Sequence, residues 1–427
     1  SWFSYGVAFV ASWLTFAISI ELLMIVLASG PISYHMGGWP PPFGIEYVVD
    51  TVNAYILLIV SALGALVITS GKQSVERELP PGKDGLFYTA YLLCLAGLLG
   101  VTITGDAFNI FVFLEISSLS SYVLISLGRQ PMALTAAYRY LVLGTIGATF
   151  YLIGVGLLYQ ATGTLNIVDL ATRVAELTES RSVRAAFAFM TVGIGIKLAL
   201  FPLHIWLPNA YAYAPSVSSA FLAATATKVS IYVLIRVFYT IFGPAFSFET
   251  LPLDWVLLPL AIIAMFVGST IAIFQVDIKR MLAYSSVAQI GYMIVGVSLV
   301  SVLGMTGGLL HLFNHALMKG VLFLAMGCVF YRIGSVALGD LDGLGRRMPW
   351  TMAAFVIGGL SLIGIPLTAG FVSKFYLILA AWDKDWWWLA GLIVLSSLLA
   401  IIYVWRIIEV AYLRDPPEGV EMKEAPL

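Results

Sequence analysis

Twelve stretches of about twenty mostly apolar residues, each long enough to cross a bilayer as a helix, follow one another along the 427-residue chain. They cover 3–29, 47–70, 86–104, 106–127, 133–160, 183–201, 213–241, 252–275, 281–300, 303–331, 350–380 and 386–413. Backbone in hydrocarbon must satisfy its own hydrogen bonds, and stretches of this length do so as helices. Composition agrees. The chain is 60% hydrophobic and 11% charged, whereas a soluble domain carries roughly 25% charged residues. The expected fold class is all-α, a polytopic membrane protein of about 12 transmembrane helices. A net charge of −1 gives no reason to expect a nucleic-acid partner. Cys94 and Cys328 lie in separate apolar stretches and offer neither a disulfide framework nor a metal spacing. No Gly-rich phosphate loop, haem-attachment motif or nucleophile elbow occurs, so no cofactor and no catalytic residue is expected. The chain starts at Ser1 rather than at methionine, so further sequence is expected before it. The apolar part of 1–29 is too long for a cleaved signal.

The breaks between stretches carry the polar residues. Pro40-Pro41-Pro42 follows the first stretch, and Glu76 to Asp84 forms a charged loop. Residues 162–182 hold Asp169, Arg173, Glu176, Glu179 and Arg181, which suits a loop with a short surface helix. With the N-terminus cytoplasmic, thirteen of the 22 lysines and arginines fall on the inner side and five on the outer. The remaining four are intramembrane lysines. Positive charge accumulates on cytoplasmic loops, so both termini are expected to be cytoplasmic in the plasma membrane. Two stretches carry internal breakers: Pro202, five residues after Lys197, and Gly364-Ile365-Pro366 with Gly370, ahead of Lys374. Proline removes a backbone hydrogen bond, and broken helices inside a membrane line cavities at transport sites. Five helices counted from 86 and five from 252 each have the broken one in fourth place. Five is odd, so the second set would be inverted relative to the first. The expected division is an N-terminal transmembrane hairpin (1–85), a first five-helix repeat (86–245), a second inverted one (246–415) and a cytoplasmic tail (416–427).

Among the ionisable residues within the apolar stretches, five are the leading candidates: Glu115, Lys197, Lys228, Lys319 and Lys374. Charge in hydrocarbon is costly, so such residues face a protein interior or a water path and mark ion routes. Glu115 sits roughly 14 Å along its helix, near the bilayer centre. It either stays protonated beside Ser117 and Ser118 or pairs with a buried lysine. A buried carboxylate and ammonium stabilise each other's charged forms, so such a pair can gate proton transfer. Lys197, in Gly193-Ile194-Gly195-Ile196-Lys197, is either a route residue or a lysine snorkelling from a helix end. Lys228 lies mid-helix among alanines and threonines, where snorkelling is harder. His311, His315 and Lys319 are spaced i, i+4, i+8 on one helix face, with Asn314 adjacent. Imidazole titrates near neutrality, which suits a proton relay. Packing histidines or a metal site are the alternatives, but no carboxylate or third ligand flanks them. His204, in the Phe201–Pro208 break, lines a cavity or caps a broken helix. Glu21 and Glu409 are accessory candidates, the first central in its helix and the second near the polar tail.

These segments resemble the antiporter-like proton-translocating subunits shared by complex I, multisubunit cation/proton antiporters and membrane-bound hydrogenases. The resemblance rests on Gly37–Ile45 with Asp50, Gly105–Glu115, Lys197–Pro208 through Ala214-Pro215, Lys228–Tyr232, His311–Lys319 and Gly370–Lys374. It spans nearly the whole chain. It implies Glu115 and Lys197 as the ion pair of a first half-channel and Lys228 as the connecting lysine. His311, His315 and Lys319 would carry protons across the middle, and Lys374 would end the second half-channel. It also implies two inverted five-helix repeats, and partnership with antiporter-like and redox-module membrane subunits. The chain itself would be non-catalytic, moving protons or sodium with protons. Asn209 follows Trp206-Leu207-Pro208 where many members have an acidic residue. Twelve stretches stand against the usual fourteen or so helices, as though the first and last were lacking, and there is no long lateral C-terminal helix. Phe113–Tyr122 looks closer to the hydrogenase and cation-antiporter branches than to classical complex I. A stand-alone transporter of a small solute is the competing expectation. A quinone- or haem-holding redox subunit is a third, without visible ligands.

Overall fold

The computed structural model describes residues 2–416 and 423–426, so the tail expected over 416–427 lies mostly outside the described residues. The first helix, α1 (Trp2–Ser29), buries only Ala8, Ser12, Ser19 and Val26 and packs against α2 (Thr51–Thr69) and α4 (Asp84–Ile103). Between α1 and α2 the chain forms a small antiparallel hairpin, β1 (Ile32–His35) with β2 (Glu46–Val49), Ile32 opposite Val49. Asp50 then caps α2, accepting from the amides of Val52 and Asn53 while the Asn53 side chain returns a bond to the Asp50 amide. A short α3 (Lys72–Glu78) lies between α2 and α4.

The next helices are α5 (Ala107–Ser126), α6 (Pro131–Thr162), the surface helix α7 (Ile167–Ala175), α8 (Arg181–Leu198), α9 (Leu207–Tyr213) and α10 (Ser216–Ile235). Helix α10 runs on into π turns at Arg236–Ile241. The second half holds α11 (Asp254–Ile273), α12 (Ile278–Ser298), α13 (Val302–Ile333), the four-residue α14 (Leu344–Arg347), α15 (Pro349–Ile363), α16 (Ala369–Asp383) and α17 (Trp387–Ile408). Ten of these helices are long and apolar enough to cross a membrane. This is a multi-pass helical membrane protein.

The two other apolar stretches are the interrupted ones. Helix α8 stops at Leu198, where Ala199 turns left-handed (φ 61°), and the chain winds past Pro202 before α9. The stretch 350–380 is two helices, α15 and α16, parted at Gly364 (φ 87°). Each break exposes the last carbonyls of its leading half-helix, which then need partners.

Helices α10 and α12 are buried on almost every side, as all-round apolar helices at the centre of a large bundle should be. One local device occurs twice. Asp106 caps α5 by accepting from the Asn109 amide at 2.7 Å, and Asp277 caps α12 by accepting from the Arg280 amide at 2.8 Å. Each is bridged to the segment after a 32-residue helix, α6 or α13, that ends at a left-handed glycine, Gly163 or Gly334. The bridges match: the Ala107 amide donates to the Leu165 carbonyl and that of Ile278 to the Val336 carbonyl, at 2.8 and 3.0 Å.

The α15–α16 break depends on close approach. A Cβ on Gly370 would lie 1.8 Å from the Ser361 carbonyl oxygen, whereas one on Gly391 would meet nothing within 4 Å. Gly370→Ala is therefore expected to destabilise the solubilised protein by roughly 1–3 kcal/mol or more, and Gly391→Ala to leave it unchanged or slightly more stable. Equal melting temperatures for the two variants in detergent would contradict this packing.

Candidate ion-translocation site

Lys197 is buried in the last turn of α8, where the helix dipole and freed carbonyls favour a cation. Its Nζ donates to Glu115 Oε1 at 3.3 Å and to Ser118 Oγ at 2.7 Å, both on α5. The Lys197 side chain is 3% exposed and that of Glu115 23%. The contact therefore joins a buried cation to a carboxylate on the edge of accessible space. The break beyond Lys197 is held by the Trp206 indole N–H, which donates to the Ile196 carbonyl at 2.8 Å, and Trp206 stacks on Tyr140 at 3.8 Å. His204 lies within this break, half-buried and stacked on Phe201, without contact to Lys197.

Lys228, on α10, is fully buried. It has no acidic partner among the described residues; Nζ donates to the Ala223 carbonyl and, at 3.4 Å, to Thr227 Oγ1. A hydroxyl and a carbonyl in its own helix satisfy two of three ammonium donors.

On α13 the stripe His311, His315 and Lys319 is completely buried. Lys319 Nζ donates to the Leu282 carbonyl at 2.7 Å and to Ser285 Oγ, both on α12. His311 is held at both ring nitrogens, Nε2 to Gln289 Oε1 at 2.9 Å and Nδ1 to Ser373 Oγ at 2.9 Å. A serine hydroxyl can accept from or donate to Nδ1, so His311 can gain or lose that proton and keep two hydrogen bonds. The His315 ring lies parallel to that of His311, centroids 6.4 Å apart, and neither of its nitrogens bonds a described residue. Among the described residues no three His, Cys, Asp or Glu side chains are grouped to hold a metal.

Lys374, in the first turns of α16, reaches back across the second break. Its Nζ donates to the carbonyls of Leu362 at 3.0 Å and Ile363 at 2.9 Å, the end of α15, and to Ser397 Oγ at 3.1 Å. The Tyr292 ring lies 4.5 Å from the ammonium. Helix-end carbonyls and an aromatic face do here what Glu115 does for Lys197. Counted from the capping aspartates, Ser286 stands on α12 where Glu115 stands on α5, which fits the absence of a carboxylate beside Lys374 among the described residues.

The accessory acids fare differently. Glu21 is exposed on α1, away from this series, and Glu409 sits half-buried in the turn after α17. Partners missing from the sequence-based candidates include Ser285, Gln289, Tyr292, Ser373 and Ser397. Neutral polar residues do little to the hydropathy of a helix. Their signal is spacing, with Ser285, Gln289 and Tyr292 on one face of α12. Arg236 lies in the π turns after α10, partly buried, bonded to Asp50 and, at 3.0 Å, to the Tyr232 hydroxyl.

Residues 104–400 match the family model described as NADH:quinone oxidoreductase/Mrp antiporter, transmembrane. The chain belongs to this antiporter family. NADH-quinone oxidoreductase subunit N of Desulforudis audaxviator is 44% identical over 430 residues, spanning 100% of this chain and 84% of the relative. A Na(+)/H(+) antiporter subunit from Alkalihalophilus pseudofirmus is 34% identical over 397 residues, spanning 92% and 79%. A chain of the membrane-bound sulfane sulfur reductase, an archaeal respiratory membrane complex, superposes with a TM-score of 0.90 at 31% identity, covering 99% of this chain and 85% of that one. Antiporter-family relatives from both branches thus match almost the whole chain, so the run Phe113–Tyr122 does not by itself choose between them.

Proposed function

We propose that this chain is a proton-translocating, antiporter-like subunit of a multisubunit membrane complex. The route passes through Glu115, Lys197, Lys228, Lys319, His315, His311 and Lys374. The observation that carries the reading is the placement of Lys197, Lys228, Lys319 and Lys374, all buried, on four different helices, with one of the four beside a carboxylate among the described residues. A solute carrier concentrates its polar groups around one midplane pocket. A series spread over α8, α10, α13 and α16 suits a charge passed from station to station. The relatives point the same way, being subunits of an NADH-quinone oxidoreductase and of a Na(+)/H(+) antiporter.

In this reading the Glu115–Lys197 contact is the gate of the first half. When the two groups part, their charged forms lose mutual stabilisation, and Lys197 releases a proton toward Lys228. His315 and His311 pass it within the stripe, and Lys374 is the terminal station. The recurring Asp106 and Asp277 devices support two repeats, 86–245 and 246–415, after an N-terminal unit over 1–85. Protons are the proposed cargo, with sodium as companion the variant to test. The bias of basic residues supports the plasma membrane with both termini cytoplasmic. Purification from native membranes with identification of co-migrating proteins tests the assignment. Antiporter-like or redox subunits should co-purify, and a lone species on a native gel would favour a stand-alone transporter.

His315 offers a sharper check. With no protein partner for either nitrogen among the described residues, its hydrogen bonds must go to water, which suits a relay. His315→Ala should slow translocation in an assembled complex, and His315→Gln should fall short of full rescue, because an amide does not exchange protons near neutral pH. Full rescue by glutamine would make the histidine a packing element. Stoichiometric zinc lost in His315→Ala would make it a ligand.

A further inference from the structure

At one end of the bundle a cavity of 320 Å³ opens between α3, the α5–α6 turn, the start of α10 and the facing ends of α12 and α13. Its charged and titratable lining is Arg77 and Glu78 from α3, Arg129 from the α5–α6 turn, Tyr213 from α9, and Asp277 and Lys279 from the start of α12. Two of these are buried although they border the cavity: Glu78 is 6% exposed and Lys279 3%. Lys279 precedes the apolar stretch 281–300 in the sequence and lies in the first turn of α12 in the structure. They do not touch. Glu78 Oε2 accepts from the Ser216 amide at 2.8 Å, and Lys279 Nζ donates to Ser216 Oγ at 2.8 Å, so one serine at the head of α10 links acid to base.

Lys279 also begins a polar line on α12. One turn on, about 4.5 Å of helix rise, the Leu282 carbonyl and then Ser285 Oγ bond Lys319. Gln289 follows with His311, and Tyr292 with Lys374. These positions recur every three or four residues on one face. The second-half stations are thus held in order by a single helix whose first turn stands at the cavity. Burial pushes the Asp277 carboxyl up from its usual value, against the bond from the Arg280 amide.

We propose that this cavity is a proton-uptake port, with Glu78 and Lys279 as its exchange groups and α12 as the path to Lys319. One proton moves per step. The Lys279 ammonium gives its proton, through water or the Ser285 hydroxyl, to the neutral Lys319 amine. Hydronium in the cavity, by way of Glu78, restores it. The 320 Å³ volume has room for several waters. The port rests on the proposed route through Lys319, which takes up a proton from it only as the Glu115–Lys197 gate and Lys228 turn over, so a block at Lys228 stops uptake here as well.

The test follows proton uptake by sealed inverted vesicles bearing the complete complex, with a pH-sensitive dye, across external pH. Glu78→Gln and Lys279→Met should each slow uptake roughly tenfold at alkaline pH and move the half-maximal rate down by about one pH unit. A merely structural tie would lower the rate equally at every pH, which overturns the port. Lys319→Ala separates the two ideas. If it pumps normally the route itself fails. If it is silent while both port variants keep the wild-type profile, the port alone fails. Where a port variant does not assemble, the assembled protein is modified instead. Ala212→Cys, on the cavity wall, is made with Cys94 and Cys328 replaced by alanine and treated with a bulky cationic thiol reagent from outside. Uptake should fall several-fold, and unchanged uptake with complete labelling would overturn the port.

Discussion

Lys228→Ala abolishes coupled ion translocation while the complex still assembles. The lysine is fully buried on α10 and, among the described residues, bonded to the Ala223 carbonyl and Thr227 Oγ1 of its own helix alone. Neither group can take up a proton at ordinary pH. No neighbour on α10 can therefore stand in for the amine, and the route is cut between the Glu115–Lys197 pair and the α13 stripe. Folding should tolerate the change, because removing an unpaired buried ammonium relieves a desolvation cost that offsets the cavity left behind. Dye-monitored translocation in vesicles, normalised to assembled complex, gives the answer. Wild-type rates would remove Lys228 from the route.

The second large effect belongs to Glu115 and Lys197. Removing one partner of a buried ion pair costs about 3–5 kcal/mol. The lower end applies here, because the Glu115 side chain keeps 23% exposure. Glu115→Gln leaves the Lys197 ammonium with neutral acceptors and no counter-charge, and Lys197→Met leaves a carboxylate without its cation. Each single change should disable translocation and lower the melting temperature. The double variant should lose less stability than the sum, by a coupling of roughly 0.5–3 kcal/mol. Strict additivity would mean that the 3.3 Å contact carries no energy.

Much of this architecture is legible in the sequence. A lysine in a run such as Ala223–Thr227 stands out because the hydrocarbon leaves so few reasons to keep it. Proline and glycine mark both interruptions, since Pro202 and Gly364-Ile365-Pro366 forbid a continuous helix. What stays hidden is the partner chemistry. Nothing in Ile363 announces that its carbonyl becomes a counter-charge for Lys374, because that role is created by the end of α15. Tyr292 and Ser397 meet only when α12 and α17 pack together. The apolar stretch begins at 281, but α12 has started by Ile278, with Lys279 in its first turn. The capping role of Asp277 is the clue that the helix has already begun. Glu21, a central carboxylate in an apolar run, is exposed on α1.

The central claim is that protons pass through these lysines rather than merely feel their charge. Lys228→Arg tests it most directly. Arginine keeps the positive charge but does not give up its proton in proteins. In an assembled complex carrying that variant, the account predicts that proton movement into inverted vesicles stops. Translocation at the wild-type rate would contradict it, since a fixed charge at position 228 would then suffice.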